Sequence, residues 1–184
     1  MLHAVIGALA LGAVMTLGDY AWEALRLRHR VGYGMAHGAL MCVCVGAVIG
    51  SRAGRVGLGT AAGPFVGVAA AGLFYMLAPA MRYSAMFPAW MFFWICFAIL
   101  QAFLQRDGSL KGAAIRGIVA AILSGLAFYA ISGIWTEPQP GGPNYVRNFL
   151  SWSFAFLPGF VALFVAARRG DRRRGEGENV FSRT

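Results

Sequence analysis

Charged residues are scarce in this chain. Asp, Glu, Lys and Arg make up 12% of its 184 residues, whereas about 25% is usual in soluble domains. Hydrophobic residues make up 59%, and a soluble domain of this length has too little interior to bury them all. Lipid accepts apolar side chains on every face of a helix, so the composition indicates a membrane protein.

Acidic residues are the rarer of the two charge signs. The chain has 7 acidic against 16 basic residues, a net charge of +9. Such an excess can indicate nucleic-acid binding, but here the arginines collect beside apolar runs and in the segment 168–184. Arginine clusters next to membrane helices contact anionic lipid headgroups and favour the cytoplasmic side. We therefore expect the lipid bilayer as a partner and no nucleic acid.

Cysteine and catalytic motifs are also sparse. Cys42, Cys44 and Cys96 all lie within apolar runs, and their spacing matches neither a disulfide framework nor a zinc site. The chain has no phosphate-binding lysine loop, no HExxH and no GxSxG, which excludes several familiar catalytic classes. We expect no catalytic residue, no cofactor and no metal site. These absences favour a protein that is not an enzyme.

Long apolar runs dominate what is present. A helix needs about 20 apolar residues to cross a bilayer, and six runs reach that length: Leu2–Ala24, Val31–Gly50, Val56–Ala78, Ala85–Leu104, Ala113–Ile134 and Val146–Ala167. They predict an all-α polytopic transmembrane helical bundle of about six helices arranged as three hairpins. The domain would span residues 1–167, followed by a basic, disordered cytoplasmic tail, 168–184. A recurring Arg-x-Gly at the ends of the hairpins suggests triplication, although glycine and arginine commonly end membrane helices.

The basic residues also predict an orientation. If both termini are cytoplasmic, eleven Lys and Arg lie inside and five outside, as the positive-inside rule prefers. This threading suggests the plasma membrane, which in bacteria is the inner membrane. Its weak point is the first loop, where three arginines lie on the outer side. They should pair with Asp19 and Glu23; otherwise one run does not cross and this loop is cytoplasmic.

Small residues form rows that favour close helix packing. Gly59, Gly63 and Gly67 recur every fourth residue, and such rows let helix backbones approach each other in a membrane. The row could contact another helix of the same chain, a second copy in a homo-oligomer, or a partner membrane protein. The sequence leaves these three alternatives open.

Ionisable residues cluster between the first two runs. Asp19, Glu23, Arg26 and Arg30 would share one helical face if the first helix continued past its span. Charges this close to hydrocarbon are costly unless paired or facing water, so they are candidates for a functional site. The alternative is a salt-bridged helix end without further function.

A polar site near the outer mouth follows from this cluster. His37 could face Asp19 or Glu23 across the first hairpin, where the imidazole and the carboxylate could relay a proton or hold a metal, unless His37 only packs. Aromatic rings and a carboxylate could enclose a small cationic or aromatic solute, beneath a capping loop formed by the segment Trp135–Tyr145. The candidate ligand-binding residues are Asp19, Trp22, Glu23, Arg26, Arg30, His37, Trp135 and Glu137, with Tyr20, Tyr145, Arg147, Asn148 and Trp152 nearby.

Three functions remain open. The size, the six spans, the cytoplasmic termini and the alanine-rich first helix resemble the substrate-binding membrane subunits of energy-coupling-factor vitamin transporters. This resemblance is one of architecture and assigns no residue. The leading hypothesis is a small permease, a transporter subunit or a membrane-embedded solute-binding protein. The alternatives are a structural or assembly protein that docks partner membrane helices, and a membrane-embedded enzyme acting on a lipid or isoprenoid substrate.

Overall fold

The computed structural model describes residues 1–26, 30–106, 109–132 and 144–181, apart from the side chains of Arg30, Tyr83, Ser132 and 166–181. In this part of the chain every regular element is a helix. The elements are α1 (Leu2–Ala24), α2 (Arg30–Arg52), α3 (Val56–Met81), a 3₁₀ turn (Arg82–Ala85), α4 (Met86–Leu104), α5 (Leu110–Ser132) and α6 (Tyr145–Phe181).

The predicted helical membrane fold is confirmed. Six helices in the described residues are long and apolar enough to cross a bilayer, and their membrane-spanning parts coincide with the predicted runs to within a few residues. The tail predicted as disordered from residue 168 continues α6 as far as Phe181 in the structure.

The first helix ends earlier than a shared charged face would require. The N–H groups of Leu25 and Arg26 bond to carbonyls of the last turn of α1, and Arg26 then takes a positive φ of 48°. A residue in this conformation cannot continue an α-helix. The condition for Asp19, Glu23, Arg26 and Arg30 to share one helical face is therefore not met.

The helices form a closed ring in chain order. Each helix packs on the next, from α1 through to α6, and α6 packs on α1. The most extensive contact joins α2 and α3, which belong to different hairpins in the predicted arrangement. One bundle thus encloses a single shared interior.

Aromatic side chains fill that interior. Phe93, Trp94 and Phe97 of α4 are fully buried, as are Phe156 and Phe160 of α6. The rings of Trp94 and Phe160 meet edge to face with centroids 5.8 Å apart, an arrangement that adds roughly 1 kcal/mol to the effect of burial. Bulky rings therefore hold α4 and α6 apart across the centre of the bundle.

The glycine row of α3 faces α2. A Cβ built at Gly63 would lie 2.6 Å from Val43 Cα, and Cβ atoms at Gly59 and Gly67 would strike the backbones of Gly46 and Gly38. No other residue type permits these backbones to touch so closely. Because α2 covers the row within one chain, a second copy or a partner protein could reach it only if α2 and α3 separated.

Candidate functional site

A cavity of about 280 Å³ lies at the end of the bundle where α1 ends and α2 begins. Five helices line it, α1, α2, α3, α4 and α6. Its walls are mostly aromatic and glycine or alanine residues, with Asp19 of α1 as the one carboxylate among the described lining residues. No lysine or arginine occurs in that set, so the cavity has an acidic and aromatic character.

Two donors from α6 fix the Asp19 carboxylate. Trp152 Nε1 donates to Asp19 Oδ2 at 3.0 Å, and Asn148 Nδ2 donates to the same oxygen at 3.3 Å. Hydrogen bonds between membrane helices contribute about 1 kcal/mol each, and these two tie the end of α1 to α6. The other oxygen, Oδ1, has no hydrogen-bond partner among the described residues. A carboxylate accepts on both oxygens, so Oδ1 can accept from a ligand.

A tyrosine sets the orientation of the cavity's histidine. The Tyr33 hydroxyl donates to the Gly18 carbonyl, and its oxygen lies 3.0 Å from His37 Nδ1. The hydroxyl has one proton, which the carbonyl takes, so His37 Nδ1 must be the donor in the second bond. In the neutral imidazole this leaves Nε2 as an acceptor. Gly18 makes the approach possible, since a Cβ there would lie 2.5 Å from His37 Cε1.

Aromatic rings surround these polar groups. Trp22 meets Tyr33 edge to face with centroids 4.0 Å apart, while Trp90 and Trp152, 6.5 Å apart, form the wall between α4 and α6. Tyr75 reaches over Gly34, where a side chain would collide with the tyrosine hydroxyl. The ring faces carry partial negative charge and attract cations.

The structure brings together three of the predicted ligand-binding residues. Asp19, Trp22 and His37 all line the cavity. Glu23 is exposed and accepts a hydrogen bond from the Tyr145 hydroxyl at 2.7 Å, and Arg26 is exposed beyond the end of α1. Neither of these two lines the cavity.

The remaining predicted residues lie outside the described part of the chain. These are Trp135, Glu137 and the side chain of Arg30, together with most of the proposed capping loop. The described partners of Asp19 and Glu23 are side chains of α6. The predicted pairing of these carboxylates with loop arginines therefore stays untested for Arg28 and Arg30.

Five aromatic residues that the sequence did not single out also line the cavity: Tyr33, Phe74, Tyr75, Trp90 and Phe93. Whether these residues line the cavity depends on which helices pack together, and a single sequence does not show this. Tyr33 could have been predicted from its position four residues before His37, because this spacing places both side chains on one helical face.

The fold and the cavity together define a six-helix membrane protein with an aromatic cavity at one end of its bundle, in which Asp19 is the one acidic residue among the described lining residues. No family model, curated protein or solved structure matches the chain. The assignment of a function therefore depends on the chemistry of the cavity.

Proposed function

We propose that the protein binds a small organic cation bearing an ammonium group in this cavity, as a membrane-embedded solute-binding protein or small permease. The observation that carries the proposal is the position of Asp19. It is the one described carboxylate in a cavity walled by aromatic rings, and both of its donors among the described residues use the same oxygen.

The surrounding groups favour a cation over other ligands. Ring faces attract an ammonium by about 0.5–2 kcal/mol each, more where water is excluded. Asp19 Oδ1 supplies the opposite charge, and His37 Nε2 supplies a neutral acceptor. An anion would meet the Asp19 charge with no lysine or arginine among the described lining residues to offset it.

The same groups provide a route for release. Protonation of Asp19 removes the negative charge that holds the ligand, and protonation of His37 adds a positive charge beside it. Both changes weaken cation binding, so binding should decline as the pH falls. In a permease this would exchange a proton for the bound cation.

The enzyme alternative has less geometric support. It requires Asp19 and Glu23 to act as a pair on a substrate or metal, yet Glu23 does not line the cavity and its carboxylate holds Tyr145. A docking role through the glycine row of α3 is disfavoured because α2 occupies that row.

The proposal includes an orientation. Both termini are placed in the cytoplasm and the protein in the plasma membrane, so the cavity opens toward the outer side. The support comes from the sequence, in which eleven basic residues fall in segments that this threading places inside and five in segments that it places outside. Loop gating by the segment Trp135–Tyr145 remains part of the hypothesis.

Choline and its uncharged carbon isostere, 3,3-dimethylbutan-1-ol, test the cation site. We expect choline to raise the unfolding temperature of the purified protein and the isostere to have little effect, because only choline carries the charge. A ligand at 100 times its Kd stabilises the folded state by about 2.7 kcal/mol. Asp19→Asn should abolish the shift while keeping an oxygen acceptor for Trp152.

Glu23→Gln is the matched control. It neutralises the neighbouring carboxylate, which lies outside the cavity, and should retain the choline response. Equal stabilisation by both ligands, or an undiminished choline response in Asp19→Asn, would contradict the proposal.

A further inference from the structure

A second, larger cavity lies beside the first. It measures about 590 Å³ and is a cleft between α4 and α5. Several of its lining side chains are strongly exposed on the membrane-spanning surface, including Phe87 (52% exposed) and Leu126 (60% exposed). In a bilayer this cleft is open to lipid chains from the side.

Two residues separate the cleft from the cation site. Met86 and Trp90 line both cavities, so their side chains form the partition. Phe128 of the cleft lies 4.8 Å, centroid to centroid, from Trp152 of the cation site. The two cavities therefore share lining side chains of α4, and rings of α5 and α6 meet beside them.

The polar groups differ between the two cavities in a way that orients a ligand. Arg82 is the one charged residue among the described residues that line the cleft, whereas the cation site has Asp19 and no described basic residue. A positively charged head is repelled by Arg82 and attracted by Asp19, while an alkyl tail is favoured by the apolar cleft walls.

We infer that the ligand is a cationic amphiphile, a hydrophobic amine or quaternary ammonium with an alkyl tail, that enters sideways from the bilayer. Its head occupies the Asp19 cavity and its tail lies in the α4–α5 cleft, with displacement of Trp90 and Met86 connecting the two. This inference rests on the proposed cation site and adds the tail site and the path of access.

An alkyltrimethylammonium series tests the tail site in protein reconstituted into lipid nanodiscs. Binding of tetramethylammonium and its butyl, hexyl and octyl homologues is measured for the wild-type protein. Each buried methylene contributes about 0.8 kcal/mol, so we expect affinity to rise about fourfold per methylene.

Two substitutions on one helix separate tail binding from partition into lipid. Leu126→Trp fills the cleft and should flatten the dependence on chain length without weakening tetramethylammonium binding. Leu123→Trp is the matched control, since Leu123 is also exposed on α5 (45%) but does not line the cleft. It should behave as the wild type. Gly125→Val narrows the same cleft from a neighbouring position and serves if Leu126→Trp does not fold.

The outcomes distinguish the two proposals. An identical chain-length dependence in Leu126→Trp, Gly125→Val and the wild type would overturn the tail site while leaving the cation site intact. Failure of tetramethylammonium to bind the wild type would overturn the cation site itself. Cleft-dependent binding of the octyl homologue that survives Asp19→Asn would overturn the placement of head and tail.

Discussion

Asp19 shows how a partly buried carboxyl group is organised in this protein. An isolated carboxylate within a membrane-spanning helix is strongly disfavoured, and here Trp152 and Asn148 each donate a hydrogen bond to it. Since both donors reach one oxygen, the carboxylate keeps acceptor capacity on the other. The two donors of α6 thus fix the position of the carboxylate without using all of its hydrogen-bond acceptor capacity.

The tautomer of His37 provides a prediction at this scale. The hydrogen-bond chain from His37 Nδ1 through Tyr33 to the Gly18 carbonyl requires the Nδ1–H form, whereas free neutral histidine favours Nε2–H. We expect ¹⁵N NMR of histidine-labelled protein at neutral to mildly basic pH to show an Nδ1–H signature for His37. Tyr33→Phe removes the acceptor and should restore the Nε2–H form.

The exposed His3 of α1 is an internal reference in the same spectra and should be unchanged by the substitution. An Nε2–H signature for His37 in the wild-type protein would contradict the hydrogen-bond chain, and with it the acceptor role of Nε2.

The sequence indicated part of this site because charge in an apolar chain is conspicuous. Asp19 and His37 stood out as ionisable groups in or beside long apolar runs, and both line the cavity. Trp90 could not be distinguished from other interfacial or core aromatics, because its role depends on α4 facing α6. Arg26 was grouped with Asp19 by helical spacing. The helix ends just before Arg26, which takes a positive φ, and the sequence has no glycine at this position that would have indicated the end.

Among the elements, α2 and α3 form the closest pair. Their contact depends on the absence of side chains along α3, where Gly59, Gly63 and Gly67 are buried. The spacing of the row predicted close packing, and the sequence could not say against which helix. The choice of α2 depends on a complementary row, with Gly38 and Gly46 opposite.

Gly63→Ala tests this pairing. The added Cβ would meet the backbone around Cys42 and Val43, which cannot move aside as a side chain can, so we expect a loss of about 1–3 kcal/mol in stability. Thermal unfolding in detergent measures the change.

Gly72→Ala is the control on the same helix, since a Cβ there meets nothing within 4 Å. It should be neutral or stabilising by up to about 1 kcal/mol. If Gly63→Ala dissociated an oligomer while leaving the stability of the monomer unchanged, the row would be a docking surface instead.

At the scale of the whole molecule, the ring of six helices places the cavity. The number of spans followed from the apolar runs, because a run of sufficient length has few alternatives in a bilayer. The packing of α6 on α1 could not be predicted from the sequence, since contacts between distant parts of a chain leave no local sequence pattern. That packing supplies Trp152 and Asn148 to the end of α1.

Cysteine labelling of intact cells tests the proposed orientation. In a variant lacking the three native cysteines, Ser84→Cys and Lys111→Cys place exposed thiols at opposite ends of the bundle. We expect a membrane-impermeant maleimide to label position 84 in intact cells and position 111 only after lysis. The reverse pattern would place the cavity on the cytoplasmic side.

The most direct measurement of the cation site is anomalous diffraction from crystals containing tetramethylarsonium, which has the charge and shape of tetramethylammonium and a strong arsenic signal. We predict an anomalous peak inside the cavity, beside Asp19 Oδ1 and among the rings of Trp22, Trp90 and Trp152, and no peak there in Asp19→Asn crystals. A wild-type cavity without arsenic at saturating concentration, or a peak that persists in Asp19→Asn, would contradict the account.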